Sequence, residues 1–125
     1  MTRLFLEDIL ALHPLVSEKS GGGTGLRDRG LLESAVLSAD ASFGGIEIYP
    51  TVEEKAARLA YAIISNHPFL DGNKRMGILC LLLTLRLNRI SLSYTQEELA
   101  CLGLSAAAGS LDYEGILAWV VNHKV

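Results

Sequence analysis

The feature that most constrains the fold is a nearly unbroken apolar run from Met76 to Leu85, closed at its ends by Arg75 and Arg86. The run is far shorter than the roughly 20 apolar residues that a helix needs to span a bilayer. Because apolar residues occupy nearly every face of the helix it would form, that helix must be buried among other elements. We therefore predict a central apolar helix at about 74–88, with the rest of the chain packed around it.

Most of the remaining chain shows helical spacing of apolar residues or patterns that begin a helix. Thr51-Val-Glu-Glu54 and Thr95-Gln-Glu-Glu98 are capping boxes, in which a hydroxyl and a carboxylate satisfy the free amides at a helix start. Asp28, and either Ser110 or Asp112, are suitable caps for two further helices. The predicted helices cover about 4–19, 29–39, 51–66, 74–88 and 95–108, and a last helix begins after Ser110 or Asp112 and ends near 123.

Three breaks divide these helices. Pro14 should kink the first helix or end it early. The glycine-rich segment 20–25 should be a mobile loop, and 42–50 should be a second loop with a short extended piece at 46–49. About six helices with short connections predict a compact all-α domain that spans residues 1–125.

Composition excludes several classes of protein. The chain has 125 residues, which is enough for one hydrophobic core, and a net charge of −3 gives no sign of a nucleic-acid-binding surface. Acidic residues enter the N-terminus before any apolar stretch long enough for secretion, so we expect a cytoplasmic protein without a membrane anchor. Cys80 and Cys101 have apolar neighbours and no metal-ligand spacing, so we expect buried free thiols.

The segment His67-Pro-Phe-Leu-Asp-Gly-Asn-Lys-Arg75 joins two predicted helices and carries the chemistry. Gly72 permits a tight turn, and the first amides of the helix that follows form an anion site with the positive end of its dipole. Lys74 and Arg75 add cations at the same place. Phosphate oxygens are the natural ligand of such a group.

Two further side chains extend this interpretation from binding to catalysis. Asp71 next to a phosphate cradle suits Mg²⁺, which commonly bridges a carboxylate and phosphate oxygens. An imidazole exchanges protons readily near neutral pH, so His67 can accept a proton from an attacking hydroxyl. From spacing alone, an ordinary interpretation stays open: His67 as a helix C-cap, Asp71-Gly72 as a plain turn, and the two cations as a solvated edge.

The nine-residue segment resembles the signature of the Fic/Doc superfamily. The resemblance extends over nearly the whole chain, and it also includes Ala11-Leu12-His13, Leu26-Arg-Asp28, Gly30-Leu-Leu-Glu-Ser-Ala35 and Asn88-Arg-Ile90, which are similar to death-on-curing (Doc) toxins. It implies an all-α Fido fold that uses ATP and Mg²⁺. It implies His67 as the base, Asp71 on the metal, and Gly72, Asn73 and Arg75 on the phosphates, and we expect Lys74 to join them as a second cation.

Two departures from the adenylylating branch of that superfamily point to the Doc branch. Lys74 stands where the adenylylating proteins usually have glycine, and Ile78 replaces their second arginine. A lysine would fill space and add charge where the α-phosphate of the adenylylating pose must sit. The Doc branch implies a kinase-like toxin that moves the γ-phosphate of ATP to a threonine of elongation factor Tu, which stops translation. It also implies a small antitoxin of the Phd type.

Three hypotheses follow. The first is a Doc-type protein kinase toxin, with His67, Asp71, Lys74 and Arg75 as its catalytic residues. The second is AMP transfer by the same loop, and the third is a protein of this fold that binds a partner without turnover. Ser110 to Gly115 also matches the inhibitory-helix pattern of some Fic proteins, but a helix cap explains Ser110 or Asp112 adequately. His13 and His123 are interpreted as surface or capping residues.

Overall fold

The computed structural model describes residues 1–17 and 25–125. Within these ranges it contains six α-helices and one short antiparallel hairpin. The helices are α1 (Leu6–Leu12), α2 (Arg29–Ser38), α3 (Val52–Asn66), α4 (Asn73–Leu87), α5 (Gln96–Ala107) and α6 (Tyr113–His123), and the strands are β1 (Ser42–Phe43) and β2 (Ile46–Glu47). The predicted all-α fold class is thus confirmed, with the hairpin as an addition.

The predicted helix starts are confirmed by their hydrogen bonds. The Asp28 and Asp112 carboxylates accept from the amides of Leu31 and Gly115, at 3.1 and 2.9 Å. Thr51 and Thr95 each accept from the amide three residues on, at 3.1 Å, and the glutamate of each capping box accepts in return. Each cap involves residues only three apart, which is why a local pattern is enough to predict it.

Pro14 ends the first helix early, as expected. The α-helix stops at Leu12, and His13–Leu15 form a single 3₁₀ turn. The predicted glycine-rich loop 20–25 lies, apart from Gly25, outside the described residues. In residues 1–17 and 25–125, no helix has both the length and the apolar character needed to cross a bilayer.

The central helix is α3, and the prediction that the apolar helix α4 would be central is wrong. Helix α3 packs against α2, α4, α5 and α6, whereas α4 packs chiefly against α3 and α5. Small buried residues let neighbours approach α3 on several sides, namely Ala56, Ala57, Ala60 and Ala62. The outward side of α4 instead borders open grooves through Ile78, Leu79, Leu82 and Leu83.

Two apolar clusters flank α3, and one of them lies directly beneath the loop that joins α3 to α4. That cluster includes Ile9, Leu32, Ile63, Phe69 and Met76, all fully or almost fully buried. Cys80 belongs to it, and burial raises the pKa of this thiol to about 12. Cys101 is exposed on α5, so the expectation of two buried thiols holds only for Cys80.

The hairpin occupies the other end of α3. Lys55 is buried and donates to the Glu47 carboxylate at 2.8 Å and to the Ala39 carbonyl at 3.0 Å. Asp40 is 3.6 Å from the Lys55 amine and also forms an ion pair with Arg3. These contacts fasten the hairpin to α3 through charge, and leave its apolar side chains outside the core.

Candidate active site

The helix α3 ends where the candidate site begins. His67 is its C-cap and has left-handed backbone angles, φ 51° and ψ 55°, which few residues other than glycine adopt. Its imidazole is exposed, and Nδ1 lies 3.3 Å from the Ser65 carbonyl oxygen. Because a carbonyl only accepts, this contact places a proton on Nδ1. The lone pair of the neutral ring is then on Nε2, which is the nitrogen able to act as a base.

The next two residues anchor the loop in the core. Pro68 and Phe69 are buried, and Phe69 is only 1% exposed. The carboxamide of Asn73 closes the loop on itself, since it accepts from the Phe69 amide and donates to the Phe69 carbonyl, each at 3.0 Å. The Asn73 side chain is therefore engaged within the loop, and its main-chain amide is the group that remains to face a ligand.

Gly72 turns the chain into α4 with a positive φ of 76°, which glycine adopts without strain. It is also the N-cap residue, and no side chain caps α4. By contrast, a side-chain oxygen caps each of α2, α3, α5 and α6. The first amides of α4 thus lack a side-chain acceptor at the positive end of a 15-residue helix, which is the physical basis of an anion site.

A cleft of about 250 Å³ opens at this helix start. Among residues 1–17 and 25–125, it is lined by Val16 and by all five residues from Asp71 to Arg75. Lys74 and Arg75 are exposed, while Asp71 is half-buried. Lys74 has no hydrogen bond or salt bridge to any residue in 1–17 or 25–125. One acidic and two basic side chains therefore meet in a space large enough for phosphate groups.

The structure separates His67 from the rest of the predicted site. The imidazole is not among the side chains that line the cleft. His67 is exposed to solvent at the C-terminal end of α3, and three residues of the loop separate it from Asp71. An exposed imidazole is accessible to a hydroxyl group of another protein.

Three further side chains hold the loop, and sequence reasoning assigned none of them to the site. Arg27 donates from its guanidinium to the carbonyls of His67 and Asn66, at 2.7 and 2.9 Å. The Ser17 hydroxyl donates to the Asp71 carboxylate at 2.8 Å. The third is His13, whose Nε2 lies 2.9 Å from the Asp71 carbonyl oxygen.

His13 requires a correction. It does follow α1 as its C-cap residue, but its side chain is not on the surface, since it is only 2% exposed. Its ring stacks on Phe69, with 3.9 Å between centroids and 7° between planes. The one available signal was its place in the Ala11-Leu12-His13 resemblance, which gave no information about its contacts.

The main chain from Gly25 to Asp28 runs antiparallel beside the loop. The amides of Arg27 and Asp28 donate to the Pro68 carbonyl at 2.7 and 3.0 Å. The Leu70 amide donates to the Gly25 carbonyl at 2.7 Å. Together with the side-chain contacts, these bonds fix the backbone of the loop on both sides.

The residues that surround the cleft fit a magnesium ion shared with phosphate. Within the described parts of the chain, no three acidic, histidine or cysteine side chains gather in one place, so a metal site made by protein ligands alone is not built there. Mg²⁺ commonly takes one or two carboxylates and completes its shell with phosphate oxygens and water. Asp71 is a carboxylate of that kind at the edge of the cleft.

The last helix contains the segment that matches an inhibitory pattern. The Ser110 hydroxyl donates to the Ser105 carbonyl at 3.1 Å, and Asp112 caps α6. Hydrogen bonds at the helix ends therefore account for Ser110 and Asp112. The arginine with which Glu114 would pair in the inhibitory pattern is absent, because position 78 is isoleucine.

Comparison with known proteins agrees with this geometry. Residues 3–85 match the model of the Fic/DOC family. The chain is 37% identical over 87 residues to Toxin Doc of Mycolicibacterium smegmatis, a match that covers 70% of this chain and 65%, just under two thirds, of that protein. It is 31% identical over 116 residues to Protein kinase doc of Escherichia phage P1, which covers 93% of this chain and 90% of that protein.

The matched family segment contains both α3 and the loop from His67 to Arg75, and the phage relative aligns over almost the whole chain. On these grounds the chain belongs to the Fic/DOC family.

Proposed function

We propose that this chain is a Doc-type toxin that transfers the γ-phosphate of ATP to a serine or threonine hydroxyl of a target protein. The observation that carries the proposal is the cleft at the start of α4, where Asp71, Lys74 and Arg75 surround a helix N-terminus that no side chain caps. The names of the two relatives, a Doc toxin and a protein kinase, support the same activity.

The proposed reaction assigns one task to each group. His67 Nε2 accepts the proton of the attacking hydroxyl, whose oxygen forms a bond to the γ-phosphorus. The bond between that phosphorus and the bridging oxygen breaks, and ADP leaves with the electron pair. Lys74, Arg75 and the main-chain amides of Gly72 and Asn73 stabilise the charge on the phosphate oxygens.

Asp71 is the residue that would hold Mg²⁺ in this reaction. When bound, the ion neutralises negative charge on the phosphates. The contribution of the protein is to keep the carboxylate at the edge of the cleft, where the Ser17 hydroxyl already donates to it.

Two residues favour transfer of the γ-phosphate over transfer of AMP. Lys74 lines the cleft itself, where it takes up space and adds charge. Ile78 lies one turn further along α4 and is half-buried beside α5, so this position offers a ligand no cation. An α-phosphate held for AMP transfer would need room and a cation at these two places.

We further propose elongation factor Tu as the target and the bacterial cytoplasm as the place of action, both by resemblance to the Doc branch. A small antitoxin of the Phd type would be the natural regulator. A groove of about 470 Å³ between α4 and α5 suits an amphipathic segment of such a protein, because Ile78, Leu82 and Leu99 line it and Lys74 and Arg75 belong to its border.

Labelled ATP tests the reaction. The chain should be incubated with purified elongation factor Tu and, in parallel, with a bacterial lysate, using ATP labelled at the α- or the γ-phosphate. We expect only the γ-label to reach protein, and mass spectrometry of the modified peptide should show one added phosphate. Transfer of the α-label would instead establish AMP transfer.

A variant of Asp71 separates catalysis from binding. Asp71→Asn removes the negative charge of the proposed metal ligand and keeps the size of the side chain, so label transfer should stop. The alternative hypothesis, a protein that binds a partner without turnover, predicts a different result. The unaltered chain would then transfer no label, and Asp71→Asn would leave partner binding unchanged.

A further inference from the structure

We infer that His13 is a positioning residue of this site, which holds Asp71 in place through the main-chain carbonyl of that residue. The part of this inference that concerns metal binding rests on the proposed function. The part that concerns structure rests only on contacts that exist without any ligand.

The first contact fixes the protonation of the imidazole. His13 Nε2 lies 2.9 Å from the Asp71 carbonyl oxygen, and a carbonyl can only accept. Nε2 must therefore carry a proton and donate it. The bond joins residues that are 58 positions apart in sequence, so it connects the N-terminal segment to the candidate metal ligand.

The second contact fixes the plane of the ring. His13 is stacked on Phe69, with the planes only 7° apart, and Phe69 is itself clamped by Asn73. The backbone of Gly25 also approaches the imidazole closely, since a Cβ atom added to Gly25 would lie 2.6 Å from His13 Cε1. A ring held between these neighbours has little freedom to turn its donor away from Asp71.

The third contact comes from the same N-terminal segment. Ser17 follows the 3₁₀ turn and donates to the Asp71 carboxylate at 2.8 Å. Asp71 is thus held at two points, at its carbonyl by His13 and at its carboxylate by Ser17. Partners that orient a metal ligand in this way typically change metal affinity by about 10- to 100-fold when they are removed.

Three substitutions separate the hydrogen bond from the stacking. His13→Gln places an amide N–H as many bonds from Cβ as Nε2 is, so it can keep the bond to Asp71 and loses the aromatic ring. His13→Asn carries the same amide one carbon shorter, which cannot reach. His13→Phe keeps a flat ring on Phe69 and loses the donor.

The measurement is the gain in ATP affinity that a metal ion provides. Dissociation constants should be measured for ATP with Mn²⁺, by water-proton relaxation, and for ATP with EDTA, by calorimetry. The gain is the dissociation constant in EDTA divided by that with Mn²⁺. We expect this ratio to fall by about tenfold in His13→Asn and His13→Phe. In His13→Gln the ratio should stay within about twofold of the unaltered chain, since the donor is restored.

Two outcomes contradict the inference. One is a loss in His13→Gln as large as that in His13→Asn, because the hydrogen bond would then not be the cause. The other is an equal weakening of both dissociation constants in every variant, together with a lower melting temperature, which would indicate a merely structural residue.

A separate measurement keeps the inference testable if the proposed function fails. Should the unaltered chain gain no ATP affinity from Mn²⁺, the proposed metal site is wrong, whatever His13 does. Nitrogen-15 NMR of the imidazole, without nucleotide, then decides the structural part. The inference requires a proton on Nε2 of His13. It also requires the Leu70 amide, which donates to the Gly25 carbonyl beside His13, to exchange faster in His13→Phe than in His13→Gln. An Nε2 atom without a proton would overturn it.

Discussion

The connections at the two ends of α3 differ in what they bury and what they expose. At the N-terminal end, the hairpin exposes apolar side chains, with Phe43 84% and Ile46 74% accessible, while its charged neighbours are tied up in ion pairs. At the C-terminal end, the loop buries Pro68 and Phe69 and exposes the basic groups around the cleft. The two connections flank one helix and, apart from the exposed Leu70, distribute their apolar and charged side chains in opposite ways.

This difference supports the proposal that the C-terminal loop binds a ligand. Ion pairs formed within the chain leave the hairpin with little charge to offer, so its contacts serve to fasten it. The C-terminal loop is fixed instead by a stacked ring pair, a carboxamide, main-chain hydrogen bonds and the Arg27 guanidinium, which donates to main-chain carbonyls and not to an acidic side chain. Because none of these contacts uses Lys74, that cation remains available for an anion.

The largest effect should come from His67→Ala. Loss of the proposed base should slow label transfer by about 10²- to 10⁴-fold, whereas the stability of an exposed position should change by less than about 0.5 kcal/mol. His67→Asn is the matched control, because asparagine tolerates the left-handed backbone of this residue but is no base. Full activity in either variant would remove His67 from the mechanism and weaken the contrast between the two loops.

The next effect concerns two phenylalanines, one in each loop. Phe69→Ala removes a ring that is 1% exposed and should lower the free energy of unfolding by about 3–5 kcal/mol. Phe43→Ala removes a ring that is 84% exposed and should cost less than about 0.5 kcal/mol. Urea denaturation measures both, and similar losses would show that the hairpin is packed as firmly as the loop.

A smaller effect is expected at Asn73. The change Asn73→Ala leaves the buried amide and carbonyl of Phe69 without their partner and should cost about 1–3 kcal/mol. The same change at the exposed Asn122 serves as control and should be nearly neutral. Hydrogen exchange of the Phe69 amide should quicken in Asn73→Ala alone. An unchanged exchange rate would mean that other contacts are enough to close the loop.

The smallest effect is a pH dependence at the hairpin end. The hydrogen bond and charge of Arg3, aided by Lys55, hold the pKa of Asp40 below its ordinary value of 3.8. A lowered folded pKa means that the ion pairs stabilise the fold fully above that value. Their contribution is lost as the pH falls from there through the folded pKa.

Asp40→Asn should therefore cost about 1 kcal/mol or less at pH 6, and its cost should fade in more acidic solution. Denaturation curves of both proteins across this range provide the measurement. A cost that stays constant down to low pH would show that Asp40 acts through packing and not through its charge.

The sequence predicted what local chemistry determines. Caps such as Asp28 and Thr51 need only residues three positions away, and Pro14 ends a helix through its own ring. The gathering of Asp71 to Arg75 in one cleft also follows locally, because five consecutive residues at a helix start cannot lie far apart. The catalytic roles of these residues stay predictions.

What the sequence could not predict depends on contacts between distant segments. The apolar pattern of α4 required burial but did not say on which side, and the structure leaves Ile78 and Leu82 beside open grooves. His13 had no local sign of burial, because Phe69 and Asp71 reach it from the opposite part of the chain. The strand β1 was missed for a different reason, since two residues are too few to show an alternating pattern.

The uncapped start of α4 has a thermodynamic consequence. An anion that settles on the free amides at Gly72 and Asn73 would complete the helix in the way that a side-chain oxygen completes its neighbours. Occupancy and folding are then linked by mass action, so a ligand at 100 times its dissociation constant would add about 2.7 kcal/mol to the stability of the whole chain. Without a ligand, the start of α4 would contribute less to stability than a capped helix start does, and the proposed phosphate ligand would restore that contribution.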